Sequence, residues 1–414
     1  MVGFCFVLLV ASAGFFFARP ATRQPATSSA DYQFNLLQGK LAVGLPVPTT
    51  ALEAVGFANQ LDGFALALHR NGVLLAATTD GGSTWRVRND NLPPGLGADS
   101  GSPGQFEFVG TNGYLWGARS AGGAPLWVSH DGGMSWQLAQ IGPYVLDASA
   151  IGPDVWALTS FCPAASPAAP APCAIGVEQS LDGGSTWTAL PAPTATVGAP
   201  TGTALWPAEL ARITKTRAYI LSGQAPSTPG DPVWTLSYTA DSGATWTTRP
   251  VPCSGAFSLG AEVAASSTDD LWLLCGSQAT AGEQSKELFR SSSGGESWSL
   301  VASATGLGTP PPVSVPPNPL PLAGYVAPFT EGHHNLAVAS ATTAWLYPSR
   351  ASLSVTSDGG SNWSQIPELA AAGFANGGQG NITFLSPTEG WICEYGIGLW
   401  QTSDGTHWHA LGIG

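Results

Sequence analysis

Ser180-Leu181-Asp182-Gly183-Gly184-Ser185-Thr186-Trp187 recurs in close copies from one end of the chain to the other. The copies lie at 78–85 (TTDGGSTW), 129–136 (SHDGGMSW), 239–246 (TADSGATW) and 356–363 (TSDGGSNW). Two more are degenerate: 291–298 (SSSGGESW) carries Ser293 in place of the aspartate, and 402–408 (TSDGTHW) is one residue short. Each reads as a β-hairpin. The carboxylate of Asp80, Asp131, Asp182, Asp241, Asp358 or Asp404 can accept backbone N–H groups two or three residues on, and glycine takes the positive φ such turns need. Trp85, Trp136, Trp187, Trp246, Trp298, Trp363 and Trp408 then place a large apolar plate on the outgoing strand. Local turn chemistry accounts for all seven copies without a catalytic or calcium-binding role.

The motif resembles the Asp-box, or BNR repeat, of sialidases, sortilin-type receptors, xyloglucan-degrading enzymes and photosystem II assembly and stability factors. The resemblance implies a β-propeller in which each box joins the third and fourth strands of a blade, away from the ligand-binding face. A second repeat upstream of each box supports four strands per unit. Short apolar runs meet a polar turn and then an aromatic, as in Asp154-Val155-Trp156, Asp270-Leu271-Trp272 and Glu389-Gly390-Trp391. The expected fold is therefore all-β: a single seven-bladed propeller of four-stranded antiparallel blades spanning 31–414, behind an apolar leader and linker at 1–30.

Composition agrees. The 414 residues include 52 Gly, 34 Pro and 16 Trp, with 44% hydrophobic and only 10% charged residues, which fits many short strands joined by turns. A net charge of −13 with three lysines excludes a phosphate-neutralising surface, so nucleic acid is not an expected partner. Residues 2–18 (VGFCFVLLVASAGFFFA) form an uncharged run at the lower edge of bilayer-spanning length. They are expected to act as a signal peptide or a membrane tether, and either places a monomeric propeller outside the cytoplasm. Cys162 and Cys173 bracket a Pro/Ala insert and are expected to form a disulfide, with Cys253 and Cys275 as a second pair and Cys393 as a buried small hydrophobe. No Cys-x-x-Cys or His-rich spacing supports a metal site, and no cofactor is expected.

Strand order decides which loops share a face. Turns 1–2 and 3–4 lie at one end of each blade, and the 2–3 turns and blade-to-blade 4–1 connections at the other. All extra length falls on that second face. From the second-strand aromatic to the box Trp the interval is 17 residues at Trp391 but 31 at Trp156, and box-to-aromatic intervals run from 20 (Trp136 to Trp156) to 47 (Trp298 to Trp345). Long loops on a rigid scaffold are where binding residues concentrate. The candidate ligand-binding rim there is Glu331, His333, His334 and Arg350 of blade 6 with Glu394 and Tyr395 of blade 7. Lys286 and Glu287 of blade 5 form another rim, and residues 31–48 are expected to lie against the outer edge of the last blade.

A sialidase would need an arginine triad, a Tyr activated by Glu, a general acid and an Arg-Ile-Pro motif. The nearest string is Arg212-Ile213-Thr214, and only eleven arginines exist. No catalytic residues are therefore assigned. The expected function is an exported, non-enzymatic propeller binding a protein or cell-envelope glycan through the 2–3 and 4–1 loop face; the alternative is a sialidase-like glycoside hydrolase with a diverged site.

Overall fold

The computed structural model describes residue 34 and residues 40–69, 72–93, 104–117, 125–142, 144–161, 173–197, 208–224, 233–278, 283–305, 320–321, 335–348, 351–374 and 381–412. Seven antiparallel sheets follow one another along the chain, each built from four consecutive strands, and together form a seven-bladed propeller. Their innermost strands are Leu52–Phe57, Gln105–Val109, Tyr144–Ile151, Ala208–Arg212, Gly260–Ala265, Leu336–Val338 and Asn381–Ser386, for blades 1 to 7 in order. The leader and Cys162 lie outside the described residues. No described helix is long and apolar enough to cross a membrane.

The repeated octapeptide closes each outer hairpin by one hydrogen-bond pattern. In blade 3, Ser180 Oγ donates to Asp182 Oδ1 at 2.7 Å and accepts Gly184 N–H at 2.7 Å. Thr186 donates its N–H at 2.9 Å and its hydroxyl at 2.6 Å to the same carboxylate. Ser293 keeps a weaker version: its hydroxyl accepts Ser297 N–H at 3.1 Å. In the short copy the turn tightens, and Gly405 N–H reaches Thr402 Oγ1, three residues back, at 2.9 Å.

The second glycine of the motif does more than turn the chain. Gly133 has φ +83°, and a Cβ there would lie 2.2 Å from Leu75 Cδ2 of the preceding blade. The hairpin is thus pressed flat against its neighbour, where no side chain fits. Second-strand aromatics complete these junctions: Tyr114 donates to Gly183 O at 3.2 Å and Trp345 to Gly405 O at 2.9 Å, each in the next blade's hairpin. The core is accordingly a set of apolar wedges between neighbouring blades, as in the cluster of Trp156, Leu158 and Val177 of blade 3 with Leu210 and Ile220 of blade 4.

The N-terminal segment departs from expectation. Pro46–Val47 pairs with Trp85–Asn89 and adds a fifth, outermost strand to blade 1 rather than to blade 7. Both outer edges carry unpaired backbone groups, and Leu45 O takes the Val87 N–H at 2.8 Å. The following turn reaches blade 7, where Thr50 O accepts Gly396 N–H at 2.8 Å. Cys253 and Cys275 form a disulfide that ties the entry of blade 5 to its second strand. Cys173 is disulfide-bonded as well, and Cys393 is a buried free thiol.

Candidate functional site: the central channel and the loop face

Hairpins and 1–2 turns share one end of the blades. Gly81 N–H bonds Leu61 O and Gly183 N–H bonds Pro153 O, both at 2.9 Å, so each octapeptide seats on the 1–2 turn of its own blade. The 2–3 turns and the 4–1 connections occupy the other end.

Around the axis the innermost strands carry a repeated feature: an acid or amide immediately before an apolar residue, as in Glu53-Ala54, Glu107-Phe108, Asp147-Ala148, Glu209-Leu210, Glu262-Val263 and Asn381-Ile382. Each innermost strand is a sheet edge with N–H groups that no strand satisfies. The acids satisfy them across the blade junctions. Glu107 Oε2 accepts Ala150 N–H at 3.0 Å, Asp147 Oδ2 accepts Leu210 N–H at 2.8 Å, and Glu209 Oε2 accepts Val263 N–H at 3.0 Å. Glu262 Oε1 accepts Leu336 N–H at 2.9 Å, and Asn381 Oδ1 accepts Val55 N–H at 3.0 Å across the seam between the last blade and the first.

Desolvation disfavours the charged form of a carboxyl group, and two of the channel acids show it. Burial pushes Glu107 up to about 7, with Asp147 adding to the rise and the Ala150 N–H and Arg212 opposing it. Glu53 is pushed up to about 7 by burial and then by the nearby charge of Glu394. At neutral pH Glu53 and Glu107 therefore titrate within reach of 7 instead of carrying a fixed charge.

A cavity of about 260 Å³ opens in this channel beside blades 2 and 3. Its walls include Gln105, Phe106, Glu107, Trp116, Asp147 and Asn381, with no lysine or arginine among the described residues. Gly104 immediately precedes the innermost strand and Trp116 ends the second strand of blade 2, so the cavity lies in the half of the channel nearest the 2–3 turns.

Of the rim residues expected from sequence, Glu331, His333, His334 and Arg350 lie outside the described residues. Tyr395 stands 48% exposed on the 2–3 turn of blade 7. Glu394 is buried at the end of the second strand and accepts the Tyr347 hydroxyl of blade 6 at 2.5 Å. Tyr347 was not expected from sequence; its signal was a tyrosine two residues beyond Trp345, at the loop end of that strand. Burial and then the Glu394 charge push its phenol upward, against the direction a nucleophilic tyrosinate needs. The proposed rim of Lys286 and Glu287 is corrected: both are buried, and Lys286 Nζ donates to Gln284 O at 2.9 Å and to Pro321 O, which lies against it, at 3.1 Å.

Arg88, Arg212 and Arg249 serve blade junctions, whereas Arg290 pairs within its own blade. Arg212 pairs with Asp154 at 3.1 Å and lies over Trp156 at 4.6 Å. Arg290 pairs with Asp270 at 3.6 Å and lies over Trp272 at 4.8 Å, and Arg88 donates to Asp131 O at 2.7 Å in the next hairpin. Among the described residues no three arginines converge on the channel, and no group of three or more His, Cys, Asp or Glu is placed to hold a metal ion.

No protein-family model matches the chain, and no curated protein matches it. Solved structures with the same fold include YCF48 bound to D1 peptide, 18% identical, with 88% of this chain and 97% of that one aligned at a TM-score of 0.52. YCF48 from Cyanidioschyzon merolae is 15% identical over 88% of this chain and 99% of that one, at a TM-score of 0.53. A Mycobacterium tuberculosis puromycin-hydrolyzing peptidase is 12% identical over 90% of this chain and 56% of its own, at 0.50.

Proposed function

We propose that this chain is an exported, non-enzymatic propeller that binds a protein segment through the face carrying its 2–3 and 4–1 loops. The octapeptide hairpins, read as Asp-boxes, are structural elements of the opposite face. The observation that carries this reading is the cavity at the loop-side half of the channel, with acidic and aromatic walls. Glu107, Asp147, Glu209 and Glu262 each hold a backbone N–H of a neighbouring blade, which suits a shaped, rigid receptor more than a proton-transfer pair. That a similar propeller has been solved with a peptide bound supports the choice of a protein ligand over a glycan.

A second reading rests on one contact. The Tyr347 to Glu394 hydrogen bond at 2.5 Å, with Glu53 titrating near 7 beside it, is the pairing a diverged sialidase-like hydrolase would use. Incubating the purified chain with sialosides and a panel of aryl glycosides separates the two. We expect no turnover above the uncatalysed rate; turnover that disappears in Glu394→Gln would establish the hydrolase instead.

A further inference from the structure

We infer that the channel cavity between blades 2 and 3 is a receptor for a single arginine side chain of the bound protein segment. This deepens the reading of the loop face as a protein-binding surface and rests on it.

Size comes first. Sites that enclose a whole small ligand run from about 300 to 1,000 Å³, and at about 260 Å³ this cavity holds one long side chain and not an oligosaccharide.

Charge follows. Glu107 and Asp147 both line the cavity, and among the described residues no cation does. Arg212, the cation near enough to act on Glu107, is held by Asp154 at 3.1 Å and by the Trp156 ring. Asp147 spends Oδ1 on Ala148 N–H and Oδ2 on Leu210 N–H, both at 2.8 Å. Glu107 bonds Ala150 N–H through Oε2 alone, which leaves Oε1 for a further donor.

An independent observation lies in the wall. Trp116 is 5% exposed, and its indole N–H has no acceptor in the protein. A buried donor without a partner is unfavourable, so the fitting ligand brings an acceptor as well as a cation. An arginine residue within a peptide offers both: a guanidinium for Glu107 and a main-chain carbonyl for the indole. Phe106 and Trp116 add aromatic walls, which favour the planar, weakly hydrated guanidinium over an ammonium.

The test is calorimetric titration of the full chain with N-acetyl-arginine methylamide at low ionic strength, against the citrulline analogue, which keeps shape and carbonyls but lacks the charge. Binding of the arginine compound, at least tenfold weaker for citrulline and at least tenfold weaker again in Glu107→Gln, is the expected result. Glutamine can still accept the Ala150 N–H, so this variant keeps its fold. In Gln105→Arg a tethered guanidinium should fill the cavity and abolish probe binding. Equal affinity for arginine and citrulline, no binding of either, or indifference to Glu107→Gln would overturn the inference. Peptides that bind the loop face independently of Glu107 would sink this inference while leaving the binding function intact, whereas glycoside turnover would sink the function itself.

Discussion

Replacing Trp391 by alanine is expected to lower the free energy of unfolding by about 3–5 kcal/mol, the cost of emptying a large buried aromatic site. Trp391 is fully buried, its ring stacks on Phe57 of blade 1 at a centroid distance of 3.8 Å, and its indole donates to Gly81 O at 3.1 Å. Those contacts sit where the ring has no covalent continuity. Blades 1 to 6 are each tied to the next by the chain, but among the described residues blade 7 meets blade 1 through side chains, the Asn381 bond to Val55 and the turn at Thr50. Urea denaturation of the wild type and Trp391→Ala checks this. A loss under about 1 kcal/mol would mean that the seam is held by something other than the aromatic stack.

The second large effect concerns pH. Glu107 and Glu53 titrate near 7 in the folded chain and near 4.5 when unfolded. Between those values the folded chain binds more protons than the unfolded one, so stability falls as pH rises from about 4.5 to 7. The rise from 4.5 to about 7 corresponds to roughly 3–4 kcal/mol for Glu107. The hairpin aspartates act in the opposite sense. Although burial opposes it, hydrogen bonds from Ser135 and Ser129 hold Asp131 down at about 2, and those from Thr186 and Ser180 lower Asp182 too. Their contribution is complete above the ordinary aspartate range and fades as pH falls toward 2. Stability should therefore peak near pH 4 to 5. Glu107→Gln should gain roughly 3–4 kcal/mol at pH 8 and nothing at pH 4, as read from denaturation midpoints across that range. An unchanged pH profile in the variant would show that Glu107 ionises freely in the folded chain.

The blade count and strand order were legible because the octapeptide is local chemistry. Aspartate, paired glycines and tryptophan specify a hairpin wherever they occur, and seven such hairpins alternating with second-strand aromatics leave room for little else. The channel was not legible. Glu107 and Asp147 sit in alternating strands like any solvent-facing acid, and what turns them inward is ring closure, which no local pattern encodes. Their recurrence before an apolar residue on each first strand was the available signal. Lys286 misled for a related reason: a lysine opening a strand reads as rim until Pro321, distant in sequence, lies against it. The segment before blade 1 faced two open sheet edges of equal chemistry, and only the short reach from Val47 to Trp85 favours its own blade.

The central claim is that recognition belongs to the loop face and the channel, not to the hairpin face. Its most direct test is to select peptides from a displayed library on the purified chain and measure their affinity for three variants. Glu107→Gln alters the cavity, Tyr395→Glu the loop face, and Leu181→Glu the exposed hairpin of blade 3, where Leu181 is 69% accessible. We predict at least a tenfold loss with Glu107→Gln or Tyr395→Glu and none with Leu181→Glu. Binding lost with Leu181→Glu and untouched by the other two would contradict the account.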